Sequence, residues 1–132
     1  YGPRGVRPDG YQPDVLLRVA TFAKAQFTRD AEASDVLLIE RSVPETFYLS
    51  RRGPLPGSAE TRRSIPNVDA IVEALEGFGR NVTRVQLEHA DLPKQIALFS
   101  QANVVIAQHG AALANVLWMT AGSYVIEIIP NP

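Results

Sequence analysis

Two stretches of the sequence carry residues whose types and spacing could hold an anion. In the first, Gln108-His109-Gly110-Ala111-Ala112 follows the apolar run Asn103-Val104-Val105-Ile106-Ala107. A strand that feeds a helix through such a turn leaves N–H groups free at the helix start. Gly110 and the two alanines keep side chains out of the way, so a phosphate could approach those donors and the positive end of the helix dipole. The same small residues also let a helix pack closely on a sheet, and spacing alone does not separate the two readings. His109 taken alone is more often a hydrogen-bonded structural histidine than a catalytic one. The second stretch is rich in arginine: Arg41 closes the run Val36-Leu37-Leu38-Ile39-Glu40, and Arg51, Arg52, Arg62 and Arg63 lie in the segment after it. Guanidinium forks bind a diphosphate bidentately, and a long loop can close them over a ligand. The bland alternative is a solvated loop in which Arg62-Arg63 neutralise Glu60 and nearby acids.

Other chemistries fail on residue types. Neither G-x-G-x-x-G nor G-x-x-x-x-G-K-[ST] occurs, nor a G-x-S-x-G elbow, nor a D-x-D triplet. The chain has no cysteine, which excludes thiolate chemistry, disulfides and Cys-ligated zinc, and its two histidines, His89 and His109, do not form H-E-x-x-H. Asn81-Val82-Thr83 is formally a glycosylation sequon, of consequence only in a secretory lumen. Thirteen basic and fourteen acidic side chains give a net charge of −1, so no overall field attracts nucleic acid or an acidic membrane. No run approaches the roughly 20 apolar residues that cross a bilayer. The first residue is Tyr1 rather than Met, so a fragment or processed product is expected.

The elements that must position these residues can be read from apolar spacing. The length of 132 residues, 45% of them apolar and 20% charged, suits one soluble domain. Residues 1–13, rich in Pro and Gly, read as an irregular arm or linker, and 14–132 as the domain. Asp14 can cap a helix whose stripe is Val15, Leu16, Val19, Phe22, Ala23 and Phe27. Val36 to Ile39 reads as a strand buried on both faces. Ser42 to Pro66 is a long loop broken by prolines and glycines, with a short strand possible over Thr46 to Ser50. Asn67 can cap a helix with Ile71, Val72, Leu75 and Phe78 inward, ended by Gly77 and Gly79. Val82 to Leu87 alternates as a strand, Asp91 can cap a helix from Leu92 to Ala102, and Asn103 to Ala107 is a buried strand. A helix from about Ala111 to Met119, with Trp118-Met119 in the core, and a strand from Tyr124 to Ile129 complete the series. Alternation of this kind predicts an α/β, Rossmann-like parallel sheet with helices on both faces. With strand order 2-1-3-4, the ends of the first and third strands flank the switch point, and the arginines and the His109 turn would face one crevice.

Four pieces of the chain, in order, resemble a known family. They are Val36-Leu37-Leu38-Ile39-Glu40-Arg41 with Arg62-Arg63-Ser64-Ile65-Pro66-Asn67; Gln95 to Ala102; Val104 to Asn115, which contains H-G-A-x-L-x-N; and Val125-Ile126-Glu127-Ile128-Ile129-Pro130. They are similar to the C-terminal half of glycosyltransferase family 61. The resemblance implies a two-domain GT-B transferase whose C-terminal domain binds the nucleotide-sugar donor without a required metal or other cofactor. It implies that Arg63, with Arg41 and Arg62, holds the diphosphate, and that the His109-Gly110-Ala111 turn faces the phosphates and the donor sugar, with His109 the candidate catalytic residue. Glu127 would orient that turn or meet the nucleoside, and Asn67 would fix the arginine loop onto its helix. Two departures stand out: Val68 occupies a position where the family often has an acid, and Ser42 to Glu60 is longer than in many members. The second leaves open whether Arg41 or Arg51 is the strand-end arginine.

The expected function is therefore sugar transfer from a nucleotide-sugar donor to a glycan or protein acceptor, with an N-terminal domain of the same protein supplying the acceptor side. The alternative is a non-catalytic nucleotide- or anion-binding module of the same fold. The resemblance to bacterial members suggests the cytoplasm, with the inner membrane face or, in a eukaryote, a secretory lumen as the other locations.

Overall fold

A computed structural model describes residues 12–28, 33–41, 65 and 67–129. Its elements are α1 (Pro13–Phe27), β1 (Ser34–Glu40), α2 (Val68–Gly77), β2 (Val82–Gln86), α3 (Leu92–Gln101), β3 (Ala102–Gln108) and β4 (Tyr124–Ile128), with 3₁₀ turns over Leu87–His89 and Ala111–Trp118. The strands form one sheet in the order β2-β1-β3-β4, and every neighbouring pair is parallel. The Rossmann-like class matches the expectation, and the strand order is the one on which a shared crevice at the ends of β1 and β3 depended.

The central strands are β1 and β3, and their continuous apolar runs have the physical cause anticipated for them. Leu37, Leu38, Val105 and Ala107 are wholly inaccessible to solvent. Successive strand residues point to opposite faces. Leu37, Ile39, Val105 and Ala107 accordingly meet Phe99 and Leu87 on one side, while Val36, Leu38 and Ile106 meet Val68, Val72 and Leu75 of α2 on the other. A right-handed crossover puts its helix on a face set by the direction of travel across the sheet. The chain goes from β1 outward to β2, then reverses past β1 to β3 and β4. That reversal sends α3 and the Ala111–Trp118 segment to the face opposite α2, and it makes the β1/β3 boundary the switch point. No helix among the described residues is long and apolar enough to cross a membrane.

Helix ends agree with expectation where a side chain can reach the backbone. The Asp91 carboxylate accepts the Lys94 N–H at 2.9 Å and caps α3. Gly79, at φ +73°, closes α2: its N–H donates to Glu76 O and that of Arg80 to Leu75 O, the paired bonds of a left-handed helix stop. Asn67 holds the cap position of α2, but its side chain makes no capping bond. Asp14 is not the cap of α1. The helix starts two residues earlier than that cap implies, because Pro13 suits a first-turn position that has no N–H to satisfy, and Gln12 is the cap residue.

Several details of the sequence-based reading change. The apolar stripe of α1 is not its buried face: Ala20 is the buried residue of that helix, and Phe22 is 70% exposed. Packing is decided there by close approach at a small side chain rather than by the bulky row. Phe78 is 83% exposed, because it stands at the end of α2 instead of on its inner face. Ala111–Trp118 is a 3₁₀ segment, not an α-helix. Asn115 Nδ2 donates to Ala112 O at 3.2 Å, competing for the carbonyl that an α-helical bond would use. Trp118 and Met119 pack against the core as expected. The Thr46 to Ser50 strand, residues 1–11 and most of the long loop lie outside the described residues.

Candidate functional site

The C-terminal ends of β1 and β3 open into a cleft of about 390 Å³, within the range of small-molecule sites. Arg41 and Glu40 supply one wall. Ala111, Ala112 and Asn115 supply another, Leu87 and Glu88 lie at the end of β2, and Gln108 and Ile39 form the floor. The cleft lies at the switch point, where a ligand is expected in an open parallel sheet.

Each wall has a local cause. Arg41 is carried to the cleft by β1, whose register with β3 (Leu38 opposite Ile106) sets the two strand ends side by side. The turn after β3 is held to β4 by the His109 N–H, which donates to Ile128 O at 2.9 Å. Its imidazole is engaged as well, with Nδ1 2.6 Å from Glu127 Oε1. In the neutral ring, the tautomer that donates this bond carries its proton on Nδ1 and its lone pair on Nε2. The His109 side chain is 69% exposed and that of Glu127 37%, so Nε2 is within reach of a ligand or solvent. Asn115 accepts from Trp118 Nε1 at 3.0 Å while lining the cleft. It therefore ties the pocket wall to the core.

The candidate residues thus fall into groups. Arg41, Gly110 and Ala111 come together at the β1/β3 boundary, since the Arg41 guanidinium lies against Gly110 and both Arg41 and Ala111 line the cleft. His109 and Glu127 form a second pair beside it, toward β4, and are not part of the cleft lining. Asn67, at the start of α2, is not in the lining either, although Ile65 is. Arg62, Arg63 and the alternative strand-end residue Arg51 lie outside the described residues.

Sequence reasoning missed a network that braces the cleft. Arg84 on β2 pairs with Glu40 at 2.5 Å and with Asp69 at 2.8 Å, joining β1, β2 and the first turn of α2. These bonds, first to Glu40 and then to Asp69, hold the Arg84 pKa above its ordinary value. Register places Arg84 opposite Leu38, on the face that α2 covers. The alternation of Val82, Arg84 and Val85 gave no sign of that partner. Gln95 is a second case: its Nε2 donates to Ala90 O at 2.7 Å and Leu87 O at 3.3 Å, fixing the turn after β2. Among the described residues, no three His, Cys, Asp or Glu side chains converge as a metal site would require.

The glycosyltransferase 61 family model matches residues 8–126. A β-1,2-xylosyltransferase of Oryza sativa subsp. japonica is 33% identical over 66% of this chain and 14% of its own length. A second β-1,2-xylosyltransferase from that plant is 31% identical over the same share of the chain and 17% of its own. A protein O-linked-mannose β-1,4-N-acetylglucosaminyltransferase of Takifugu rubripes is 32% identical over 95% of the chain and 22% of its own length. The chain spans between 14% and 22% of the length of these relatives. With a match from Pro8 through most of β4, on a parallel sheet of this order, the chain belongs to the glycosyltransferase 61 family.

Proposed function

We propose that this chain is the donor-binding domain of a glycosyltransferase that moves a sugar from a nucleotide-sugar to a glycan or protein acceptor. The observation that carries this reading is the position of Arg41, a cation at the mouth of a cleft on the β1/β3 switch point. Among the described residues Arg41 has no ion-pair partner, since Glu40 is taken by Arg84 and Glu127 by His109. In the transfer, the bond from the sugar's anomeric carbon to the diphosphate oxygen breaks, and a bond to the acceptor oxygen forms. Negative charge develops on the diphosphate, and the acceptor loses a proton. Arg41, with Arg62 and Arg63 from the neighbouring loop, would stabilise that charge, helped by N–H groups of the Gly110-Ala111 turn. Donors fixed before the reaction act more strongly than water, which must reorganise. His109, oriented through Nδ1 by Glu127, offers Nε2 as the proton acceptor. Asn67 would anchor the arginine loop at the start of α2. The acceptor side and the rest of the cleft belong to the remainder of a longer protein in this reading, and the neutralising groups for the diphosphate are arginines rather than a metal ion.

A panel of UDP, GDP, CMP and ADP in thermal-shift measurements tests donor binding. A nucleotide at about a hundred times its Kd stabilises the folded state by about 2.7 kcal/mol, a rise of several degrees in Tm. No shift with any nucleotide would sink the donor-binding reading. Binding without sugar transfer by the full-length protein would favour a non-catalytic nucleotide-binding module.

A further inference from the structure

Gly110 is unlike the other described glycines. A Cβ added at Gly77, Gly79 or Gly122 would meet nothing within 4 Å, whereas one at Gly110 would stand 2.7 Å from Arg41 Nη2 and 3.9 Å from its Cζ. Real side chains do not approach that closely. The guanidinium therefore occupies the volume that a side chain on Gly110 would take. The backbone of Gly110, at φ +156° and ψ −171°, is in a region that glycine alone adopts readily. An approach of this kind is not local in sequence, because Arg41 follows β1 and Gly110 follows β3, and it arises because those strands are neighbours.

We propose that Gly110 is a positioning residue: its missing side chain seats the Arg41 guanidinium against the turn and fixes this cation at the cleft mouth for the diphosphate of the donor. This rests on Arg41 being a diphosphate ligand, as argued above. Beside its N–H groups, the turn then serves the phosphate through the arginine that it seats. Space at Gly110 is filled by protein, and the anion is met by the cation that uses that space. A seated guanidinium has already lost much of the rotamer freedom that a free arginine side chain would lose on binding. Its planar fork also faces the ligand in one orientation, which a lysine ammonium on a flexible stem cannot reproduce.

The test is a cycle of Arg41→Ala, Gly110→Ala and the double variant, with Arg41→Lys beside it. Binding of UDP, GDP and ADP is measured by calorimetry in the full chain, together with Tm. Arg41→Ala should weaken the best binder about ten- to a hundredfold. Gly110→Ala should weaken it part of the way toward Arg41→Ala, and its effect should shrink in the double variant, where no guanidinium is left to displace. Wild-type affinity in Arg41→Ala, or no binding of any nucleotide by the wild type, would defeat the diphosphate reading and this inference with it. If Arg41→Ala loses affinity but Gly110→Ala does not, or if the two losses multiply in the double variant, the seat is refuted while the ligand role of Arg41 stands. Should Gly110→Ala fail to fold, Arg41→Lys decides. Binding as weak as in Arg41→Ala supports the seat, and wild-type binding shows that charge alone suffices and overturns it.

Discussion

His109 and Arg63 are the residues at which the proposed chemistry can be separated from binding. If the carboxylate of Glu127 sets the tautomer of His109 through the 2.6 Å contact, then Glu127→Gln allows the amide NH₂ to face Nδ1 and favours the tautomer with its proton on Nε2. Transfer by the full-length enzyme should then fall in kcat, with little change in donor Kd. His109→Ala should lose about 10²- to 10⁴-fold in kcat, the usual contribution of a general base. Steady-state kinetics beside donor calorimetry read the difference, and an unchanged kcat in Glu127→Gln would assign Glu127 a purely structural part. Arg63 stands in the R-x-I-x-N segment that the family resemblance singles out. Arg63→Ala should cost on the order of 1.5–3 kcal/mol of diphosphate binding and leave Tm unchanged. Undiminished affinity by calorimetry would leave the diphosphate to Arg41 or Arg51.

At the scale of elements, what could be read from the sequence was what local pattern controls. Val36 to Ile39 and Val104 to Ala107 announce buried central strands because neither run alternates, and both faces of β1 and β3 are indeed covered. Asp91 announces a cap because its side chain reaches a backbone N–H three residues on. Contacts between elements left no such trace. The Arg84 network needs the β1/β2 register and the docking of α2, and the Arg41–Gly110 contact needs the β1/β3 pairing. Spacing within one segment reports neither. α1 misled for a related reason, since an apolar stripe states that a face wants covering and not what covers it. Two substitutions test the elements themselves. Phe99 is fully buried between α3 and the central strands, so Phe99→Ala should cost about 3–5 kcal/mol by denaturant unfolding. Asp91→Ala removes one capping bond and should cost about 0.5–2 kcal/mol. A Phe99 variant as stable as wild type would mean that α3 does not organise this core.

For the molecule as a whole, the open question is how a diphosphate leaving group is neutralised. The candidates on this chain are guanidinium groups and backbone N–H groups; among the described carboxylates near the cleft, Glu40 is paired with Arg84 and Glu127 with His109, and Glu88 is engaged as well. A divalent cation would need oxygen ligands from such carboxylates or from the diphosphate with few protein ligands. Taking Glu40 away from Arg84 would leave that cation with the exposed Asp69 alone, which opposes recruitment of Glu40 to a metal. Arginines carry their charge permanently and need no assembly with the ligand. Transfer by the full-length enzyme should therefore persist in excess chelator, with kcat/KM unchanged within about twofold, since even a tenfold loss would reflect only about 1.4 kcal/mol of transition-state stabilisation. Added Mg²⁺ or Mn²⁺ should not raise it. The same full-length protein carrying Arg41→Ala should lose far more kcat/KM than chelation removes, and a divalent ion should not restore it. Loss of activity with chelator and recovery with Mn²⁺ would make the metal the principal counter-charge and reduce Arg41 to a secondary contact.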